Sequence, residues 1–320
     1  MFGIGRLALY AANPVATATN TGFGYWQGGF QSSPLTRLSS VKKYTFPTDG
    51  ISTATALSGN RDQVCGLSDT VYGHAFGGAV GSGGGSATTI HERYTLSTES
   101  KTTGTALATA QRDVHSGVST STYGYILGRY TTTYSNTIIK YQHSNDTYAS
   151  FTNTLWSGTV WTSVSAHNNS TLAIAVGGYN GSTANTNYAR FTFSTETAAT
   201  AQTLPAAQGQ VSMCGDQLRA FIFTGFTSPT STMTTAVRNY TFATDTWASS
   251  TSLSYTIRWG DGAGNDVVGA IGGGTTGTGT SSMSTSHTKI TYATDTFATA
   301  GQIYSVSTDS PGAFSSVQIQ

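Results

Sequence analysis

The stretch that decides the fold is Tyr240-Thr-Phe-Ala-Thr-Asp245, because close copies of it recur at regular intervals along the chain. Each of the other five copies has an acid at its sixth position, and they begin at Tyr44, Tyr94, Tyr141, Phe191 and Ile290. Successive copies start 50, 47, 50, 49 and 50 residues apart. Self-similarity at a fixed period predicts a repeat architecture, here with six units.

Each copy has the pattern of a strand followed by a turn. Alternating residues of the Tyr-Thr-Phe type have the period of two that is typical of a half-buried strand. The acid that follows can bond to nearby backbone N–H groups, which favours a turn. We therefore assign a structural turn role to six acids: Asp49, Glu99, Asp146, Glu196, Asp245 and Asp295. Six basic residues precede the aromatic strand, as exposed flanks or as partners of neighbouring turn acids: Lys43, Arg93, Lys140, Arg190, Arg238 and Lys289.

A second element precedes each copy, an apolar strand that ends in two glycines or their remnant. It reads GYWQGGF from Gly24, YGHAFGG from Tyr72 and LAIAVGG from Leu172. A further short strand, such as VSMCG from Val211, precedes that element. Four short strands in about 49 residues suit a propeller blade. We predict an all-β chain and a single six-bladed β-propeller domain over residues 1–320, with four antiparallel strands per blade. Residues 1–20 are an N-terminal extension or edge strand, and the segment Ala313–Ile319 completes the first blade.

The glycine strand, the aromatic strand and the turn that leads to Trp247 resemble the kelch repeat, and the resemblance covers essentially the whole chain. Two repeats depart from the pattern, with Gly128-Arg129 and Thr224-Gly225 in place of the diglycine. The resemblance implies a closed ring of blades. It also implies an arginine at the start of the channel-lining strand, on a face that binds ligands in some members of the family.

Several charged and aromatic side chains precede the predicted innermost strands and form a candidate ligand-binding rim: Arg61, Asp62, Arg112, Asp113, His115, Arg258, Trp259 and Asp261. The structural alternative is an Arg–Asp pair that joins one blade to the next, and for His115 a hydrogen-bonded packing role. Trp156 and Trp161 flank the same strands and could stack on sugars, whereas Trp26 and Trp247 are expected in the blade core.

Motifs for catalysis and cofactors are absent from the sequence. There is no Gly-X-Ser-X-Gly elbow and no phosphate-binding loop. Cys65 and Cys214 are too few for a disulfide scaffold, and the six histidines are scattered along the chain. We therefore predict two free thiols, no metal site and no cofactor. Paired carboxylates for glycoside hydrolysis could come only from Asp62, Asp113, Asp261 and Asp309.

Charge is scarce in this chain, with 9% charged residues and a net charge of +1, against about 25% charged in ordinary domains. This excludes an electrostatic surface for nucleic acid or for membranes. The neutral, Thr/Ser/Gly-rich composition resembles that of bacteriophage virion appendage and capsid-decorating proteins, and no secretory signal is recognised.

We therefore expect a non-catalytic structural or host-attachment protein of a virion. It would lie at the outer surface of the particle, within a larger assembly, and bind other virion proteins or host surface glycans. The alternatives are a carbohydrate-active enzyme at the Arg/Asp rim and an intracellular kelch-like interaction scaffold.

Overall fold

The computed structural model describes residues 21–81, 85–113, 117–149, 151, 153–155, 162–180, 183–227, 232–276, 283–305 and 307–316. These residues form strands and turns without a helix, so the all-β prediction is confirmed. Among them there is accordingly no helix that could cross a membrane. Residues 1–20, predicted as an extension or edge strand, lie outside the described residues, and the assignment of residues 1–320 to one domain stays a prediction.

The strands of the described residues are short, and most have three to nine residues. In chain order they are β1 (Phe23–Gln27), β2 (Phe30–Ser32), β3 (Leu35–Arg37), β4 (Val41–Thr45), β5 (Gly50–Ala54), β6 (Cys65–Ser68), β7 (Tyr72–Phe76), β8 (Ala79–Val80), β9 (Ser86–Ala87), β10 (His91–Thr95), β11 (Ser100–Thr103), β12 (Gly117–Ser119), β13 (Tyr123–Tyr130), β14 (Tyr134–Gln142), β15 (Thr147–Ala149), β16 (Thr162–Asn168), β17 (Leu172–Tyr179), β18 (Asn185–Thr192), β19 (Thr197–Gln208), β20 (Ser212–Gly215), β21 (Arg219–Thr227), β22 (Thr232–Thr241), β23 (Thr246–Ser249), β24 (Asp261–Gly264), β25 (Val268–Gly272), β26 (Ser286–Thr291), β27 (Thr296–Gln302), β28 (Thr308–Asp309) and β29 (Gly312–Ser315).

Six of the sheets have four antiparallel strands each, one sheet per sequence repeat. From the innermost to the outermost strand they are sheet 1 (β29-β1-β4-β5), sheet 2 (β6-β7-β10-β11), sheet 3 (β12-β13-β14-β15), sheet 4 (β16-β17-β18-β19), sheet 5 (β20-β21-β22-β23) and sheet 6 (β24-β25-β26-β27). The glycine element forms the second strand of every sheet, and the aromatic motif forms the third. Two small sheets, β28-β2-β3 and β8-β9, lie in the loops.

The innermost strands contact one another in a cyclic order, from β29 through β6, β12, β16, β20 and β24 back to β29. Glycine allows the closest of these approaches. A Cβ on Gly66 would lie 2.1 Å from the carbonyl oxygen of Ala313, and one on Gly262 would lie 2.1 Å from that of Met213. Backbone therefore packs directly on backbone where neighbouring sheets meet at the centre.

The C-terminal segment pairs with the first sheet, as predicted from the sequence. Strand β29 lies antiparallel to β1, with Ala313 opposite Trp26 and Phe314 opposite Tyr25. The rest of the predicted segment, residues 317–319, lies outside the described residues. This pairing covers an edge of β1 that would otherwise be open.

Six hydrophobic clusters form the core, and each lies between two neighbouring sheets. Trp26 is fully buried between sheets 6 and 1, as expected of a core residue. Trp247 packs against the cluster between sheets 4 and 5 but is only partly buried. Cys65 and Cys214, on β6 and β20, are buried free thiols, which confirms that prediction.

The repeated acid ends each four-residue turn between the third and fourth strands. All six acids have φ between 53° and 55°, the left-handed region that Asp and Asn tolerate better than most residues. At four junctions between sheets, the acid forms an ion pair with the basic residue of the preceding sheet: Lys289–Asp49, Lys43–Glu99, Lys140–Glu196 and Arg190–Asp245. The positive φ and the ion pairs are both consistent with a structural role for the six acids. The ion pairs are partly exposed, so each contributes at most about 1 kcal/mol to stability.

Candidate functional site

A second repeated feature lies at, or just before, the start of the innermost strands. Six non-glycine residues, one per sheet, have φ between 48° and 56°, and we call them the belt residues: Gln63, Asp113, Ser163, Gln210, Trp259 and Ser310. Backbone bonds join neighbours in this set. The N–H of Gln63 donates to Ser310 O over 2.8 Å, that of Ser310 to Trp259 O over 2.8 Å, and that of Trp259 to Gln210 O over 3.1 Å. These bonds tie the starts of neighbouring inner strands together.

The residue before each belt residue pairs through its backbone with the end of the second strand of the same sheet or with the segment after it. In four neighbouring sheets this position is charged, and we call these four residues the charged arc: Arg258, Asp309, Asp62 and Arg112. By sequence, the two Arg-Asp dipeptides Arg61-Asp62 and Arg112-Asp113 are expected at equivalent positions of neighbouring repeats. The structure corrects this by one residue, because Asp62 and Arg112 occupy the same place relative to the belt.

Arg61 lies away from the arc and is fully buried. Its guanidinium donates to Gly77 O over 2.8 Å and forms an ion pair with Glu92, which also binds Lys101 Nζ at 2.8 Å. Arg61 follows sheet 1 in the chain, and its partners Gly77 and Glu92 belong to sheet 2, so it joins the two sheets. This is the structural alternative considered for the predicted rim, and the burial leaves Arg61 no surface for a ligand.

Asp62 and Asp309 are both almost fully buried in the arc. Asp62 accepts a hydrogen bond from Arg37 Nε at 2.7 Å, and Asp309 accepts one from Thr275 Oγ1 at 3.2 Å. Burial, and then the charge of Asp62, raise the pKa of Asp309 to about 7, although Thr275 and Arg258 oppose the shift. The two carboxylates therefore interact, and one of them is readily protonated near neutral pH.

Asp113 adds a third carboxylate beside the arc. Burial raises its pKa to about 6; the charge of Arg112 opposes this shift and that of Asp62 adds to it. The structure thus brings together Asp62, Asp113 and Asp309, three of the four carboxylates that the sequence proposed as a set.

Asp261, the fourth carboxylate of that set, lies deeper and is held by backbone. Its Oδ1 accepts from Gly262 N at 2.8 Å and its Oδ2 from Ala313 N at 2.7 Å. Burial raises the pKa of Asp261 well above its usual range, against those two hydrogen bonds. Through these two hydrogen bonds Asp261 joins sheet 6 to sheet 1.

Arg258 and Trp259 lie side by side at the other end of the arc. The guanidinium of Arg258 is 4.1 Å from the centroid of the Trp259 ring, which is a cation–π distance, and Nη1 is 3.4 Å from Gln210 Oε1. The remaining predicted rim residue, His115, lies outside the described residues, and so do Trp156 and Trp161.

A cleft of about 510 Å³ opens between sheets 2 and 3 beside Arg112, and it is lined by Gly85, Ser86, Ala87, Thr109, Ala110, Arg112, Tyr130, Thr131 and Thr132. Arg112 donates to Gly85 O over 3.0 Å, and its guanidinium lies 4.9 Å from the centroid of the Tyr130 ring. The cleft combines one aromatic face, one cation and several hydroxyls. By contrast, the cavity enclosed by the six innermost strands measures about 100 Å³ and has room only for a few waters.

Sequence reasoning missed a group of three buried histidines, His74, His91 and His143, between sheets 2 and 3. The three histidines are separated in the chain, so the sequence shows no closely spaced histidine pair. The available signal was their place in the repeat, because each occupies a position that is aromatic or aliphatic in most of the other copies.

No protein-family model matches the chain, and no curated protein matches it.

Proposed function

We propose that the chain is a six-bladed, kelch-like β-propeller that acts as a non-catalytic glycan-binding module. Three observations support the fold: one four-stranded sheet per repeat, the cyclic contacts of the innermost strands, and the pairing of β29 with β1. In a ring of this kind, loops at one end of the inner strands form the usual binding face.

The observation that carries the binding function is the cleft between sheets 2 and 3. Tyr130 offers an aromatic face for the apolar side of a sugar ring, and Arg112 and the hydroxyl side chains offer hydrogen bonds to its polar edges. Arg112 is about one-fifth exposed, so it remains accessible. An open cleft of this size, with one cation and several hydroxyls, suits two or three sugar units.

A glycan array followed by calorimetry tests this proposal. The hit from the array should lose at least about tenfold in affinity, or about 1.4 kcal/mol, in Tyr130→Ala and in Arg112→Ala. Tyr179→Ala is the matched control, because Tyr179 occupies the equivalent place in sheet 4, opposite Thr162. Absence of any glycan hit, or an equal loss in Tyr179→Ala, would contradict the proposal.

We also propose that the protein is part of a bacteriophage particle, with other virion proteins as its neighbours. This rests on the charge-poor, Thr/Ser/Gly-rich composition. Mass spectrometry of purified particles is the test, and absence of the chain from them would reject the assignment. Binding to an intracellular partner in place of any glycan would favour the scaffold alternative.

A second candidate is a carbohydrate-active enzyme, favoured by one observation. Asp309 has a pKa of about 7, so it can act as an acid. The neighbouring Asp62 pairs with Arg37, so it can supply a carboxylate. If the bound glycan is hydrolysed, and Asp309→Asn abolishes hydrolysis without loss of binding, the enzymatic function replaces the non-catalytic one.

A further inference from the structure

Three buried histidines and two aspartates form a continuous chain between sheets 2 and 3, and only the Asp146 end of it is partly exposed. In order they are Asp146, His91, His74, His143 and Asp69. His74 is fully buried, and His91 and His143 are 1% and 2% exposed. Such a set is costly to bury without partners, so each ring nitrogen needs an account.

The hydrogen bonds determine which nitrogens carry protons. His91 Nδ1 is 3.1 Å from Thr105 O, which can only accept, so Nδ1 of His91 is the donor. With one proton on each ring, Nε2 of His91 then accepts a hydrogen bond from the N–H at Nδ1 of His74, at 3.0 Å. Nε2 of His74 is consequently unprotonated.

The lone pair of His74 Nε2 is directed at His143 Nδ1, at 3.4 Å. That spacing is beyond the usual 2.7–3.2 Å of an N–H hydrogen bond. It matches the separation of about 3.3–3.4 Å between two nitrogens that bind one tetrahedral ion at about 2.0–2.1 Å each. The spacing of the two nitrogens therefore fits a shared metal ion as well as a long hydrogen bond between the rings.

Asp69 provides the third ligand. Its Oδ1 accepts from the N–H groups of Val71 and Tyr72 in a tight turn, which fixes the carboxylate. Its Oδ2 lies 3.8 Å from His143 Nδ1. One donor atom from each of Asp69, His74 and His143 lies within 4.8 Å of the other two. Asp69, His74 and His143 thus offer three donor atoms of the kinds that bind Zn²⁺.

The rings are held in place by packing. Phe76 stacks on His91 with ring centroids 4.1 Å apart, and it stacks on His74 at 5.5 Å. A Cβ on Gly104 would lie 2.3 Å from His91 Nδ1, so glycine is required there for the ring to fit. His91 and Thr105 thereby fix the orientation of His74, as outer partners of metal ligands do.

This junction between sheets also departs from the repeated ion pair. Arg93, whose counterparts pair with the turn acid at four junctions, instead donates to His143 O over 3.4 Å and lies 3.5 Å from the centroid of the Tyr72 ring. The turn acid Asp146 faces His91 Nδ1 at 3.4 Å. Two carboxylates, Asp69 and Asp146, therefore flank the three rings at opposite ends.

We propose that Asp69, His74 and His143 form a binding site for one divalent transition-metal ion that joins sheet 2 to sheet 3. Two imidazoles and a carboxylate suit Zn²⁺ and its first-row neighbours, with a fourth position left for water. The site is buried, so its role is structural. The proposal is independent of glycan binding at the cleft.

Titration of the chelator-treated full-length protein with Zn²⁺, followed by calorimetry and by the thermal midpoint, tests the site. We expect one equivalent to bind and the midpoint to rise with Zn²⁺ concentration. Co²⁺ should give the intense visible bands of a tetrahedral site. His143→Gln and Asp69→Asn should abolish binding, and His91→Gln, a change in a positioning residue, should weaken it by about 10- to 100-fold.

His167→Gln is the control, because His167 lies in sheet 4 and its Nε2 is bonded to Asp216 O at 3.1 Å. Stoichiometric binding that is lost in the ligand variants and kept in this control supports the site. Failure of the wild-type protein to bind, or binding unchanged in His143→Gln, overturns it and leaves a hydrogen-bonded histidine chain. If a variant does not fold, the ring ¹⁵N shifts of His74 and His143 are measured in the wild-type protein. They should change on addition of Zn²⁺ if the two rings bind it, and stay unchanged if they do not.

Discussion

Asp309 makes stability depend on pH in a direction opposite to that of most carboxylates. Its folded pKa of about 7 lies above the unfolded value near 3.9. The folded state therefore binds more protons than the unfolded state between those values, and stability falls as the pH rises from about 4 to about 7. Asp309→Asn removes the cost of a buried charge. We expect the variant to be more stable than wild type at pH 8, by on the order of 1–3 kcal/mol, with little difference at pH 4.5.

Asp245→Asn is the matched control for this measurement by urea unfolding. Burial would raise the pKa of Asp245, but hydrogen bonds from Tyr240 and Tyr188 and the charge of Arg190 hold it below its usual range. Its contribution is present above the unfolded pKa and is lost as the pH falls. Asp245→Asn should therefore destabilise at pH 8, by about 1–2 kcal/mol, and less at low pH. If the stability of both variants changed with pH in the same way, the raised pKa of Asp309 would be contradicted.

The two thiols give a second test at the scale of single residues. Burial raises the pKa of Cys214 to about 12 and that of Cys65 well above its usual range. Thiolate is the reactive form, so neither thiol should react with a thiol reagent in the native protein. After unfolding in guanidinium chloride, both thiols should react, with two equivalents of reagent consumed per chain. Rapid reaction of either thiol in the native state would show that its inner strand opens readily.

At the scale of a strand, the approach of β6 to β29 depends on Gly66. A Cβ at this position would lie 2.1 Å from Ala313 O and 2.5 Å from Ala313 C, both backbone atoms. The backbone itself would have to move, so Gly66→Ala should cost about 1–3 kcal/mol or more. Gly59→Ala is the control, because a Cβ there meets nothing within 4 Å. Equal urea midpoints for the two variants would contradict the close packing of the inner strands.

Strands of this chain could be predicted because their signal is carried by side chains. Period-two alternation marks the third strand, a glycine pair or its remnant lies near the end of the second, and the acid marks the turn. The belt residues could not be found in this way. Gln63, Trp259 and Ser310 share a backbone conformation and no chemistry, since the conformation is imposed by bonds to neighbouring sheets.

The candidate site was predicted in part for the same reason. The charges of the arc were visible because charge is scarce. The sequence did not show that Arg61-Asp62 and Arg112-Asp113 differ in position by one residue, or that Arg61 is buried. The histidine group needed contacts between sheets, and these depend on how two repeats pack. A histidine in an apolar repeat position was the one available signal, at His74, His91 and His143.

Each sheet shares one hydrophobic cluster with either neighbour, so no sheet has a core of its own. The stability of the whole molecule therefore depends on every one of these clusters between neighbouring sheets. The junction between sheets 1 and 2 depends on Phe314, whose ring stacks on Tyr25 with centroids 5.0 Å apart. Strand β29 therefore has a larger role than its four residues suggest.

Removal of residues 312–320 tests that role. The truncation exposes the edge of β1 and deletes Phe314, whose loss alone should cost about 3–5 kcal/mol. We expect a lower thermal midpoint and association through the open edge. A synthetic peptide of residues 308–316 should restore the midpoint in a concentration-dependent manner by pairing with β1. The same peptide with Phe314→Ala should restore less, and a scrambled peptide nothing. If the truncated protein melts like the full chain, β29 does not hold the sheets together.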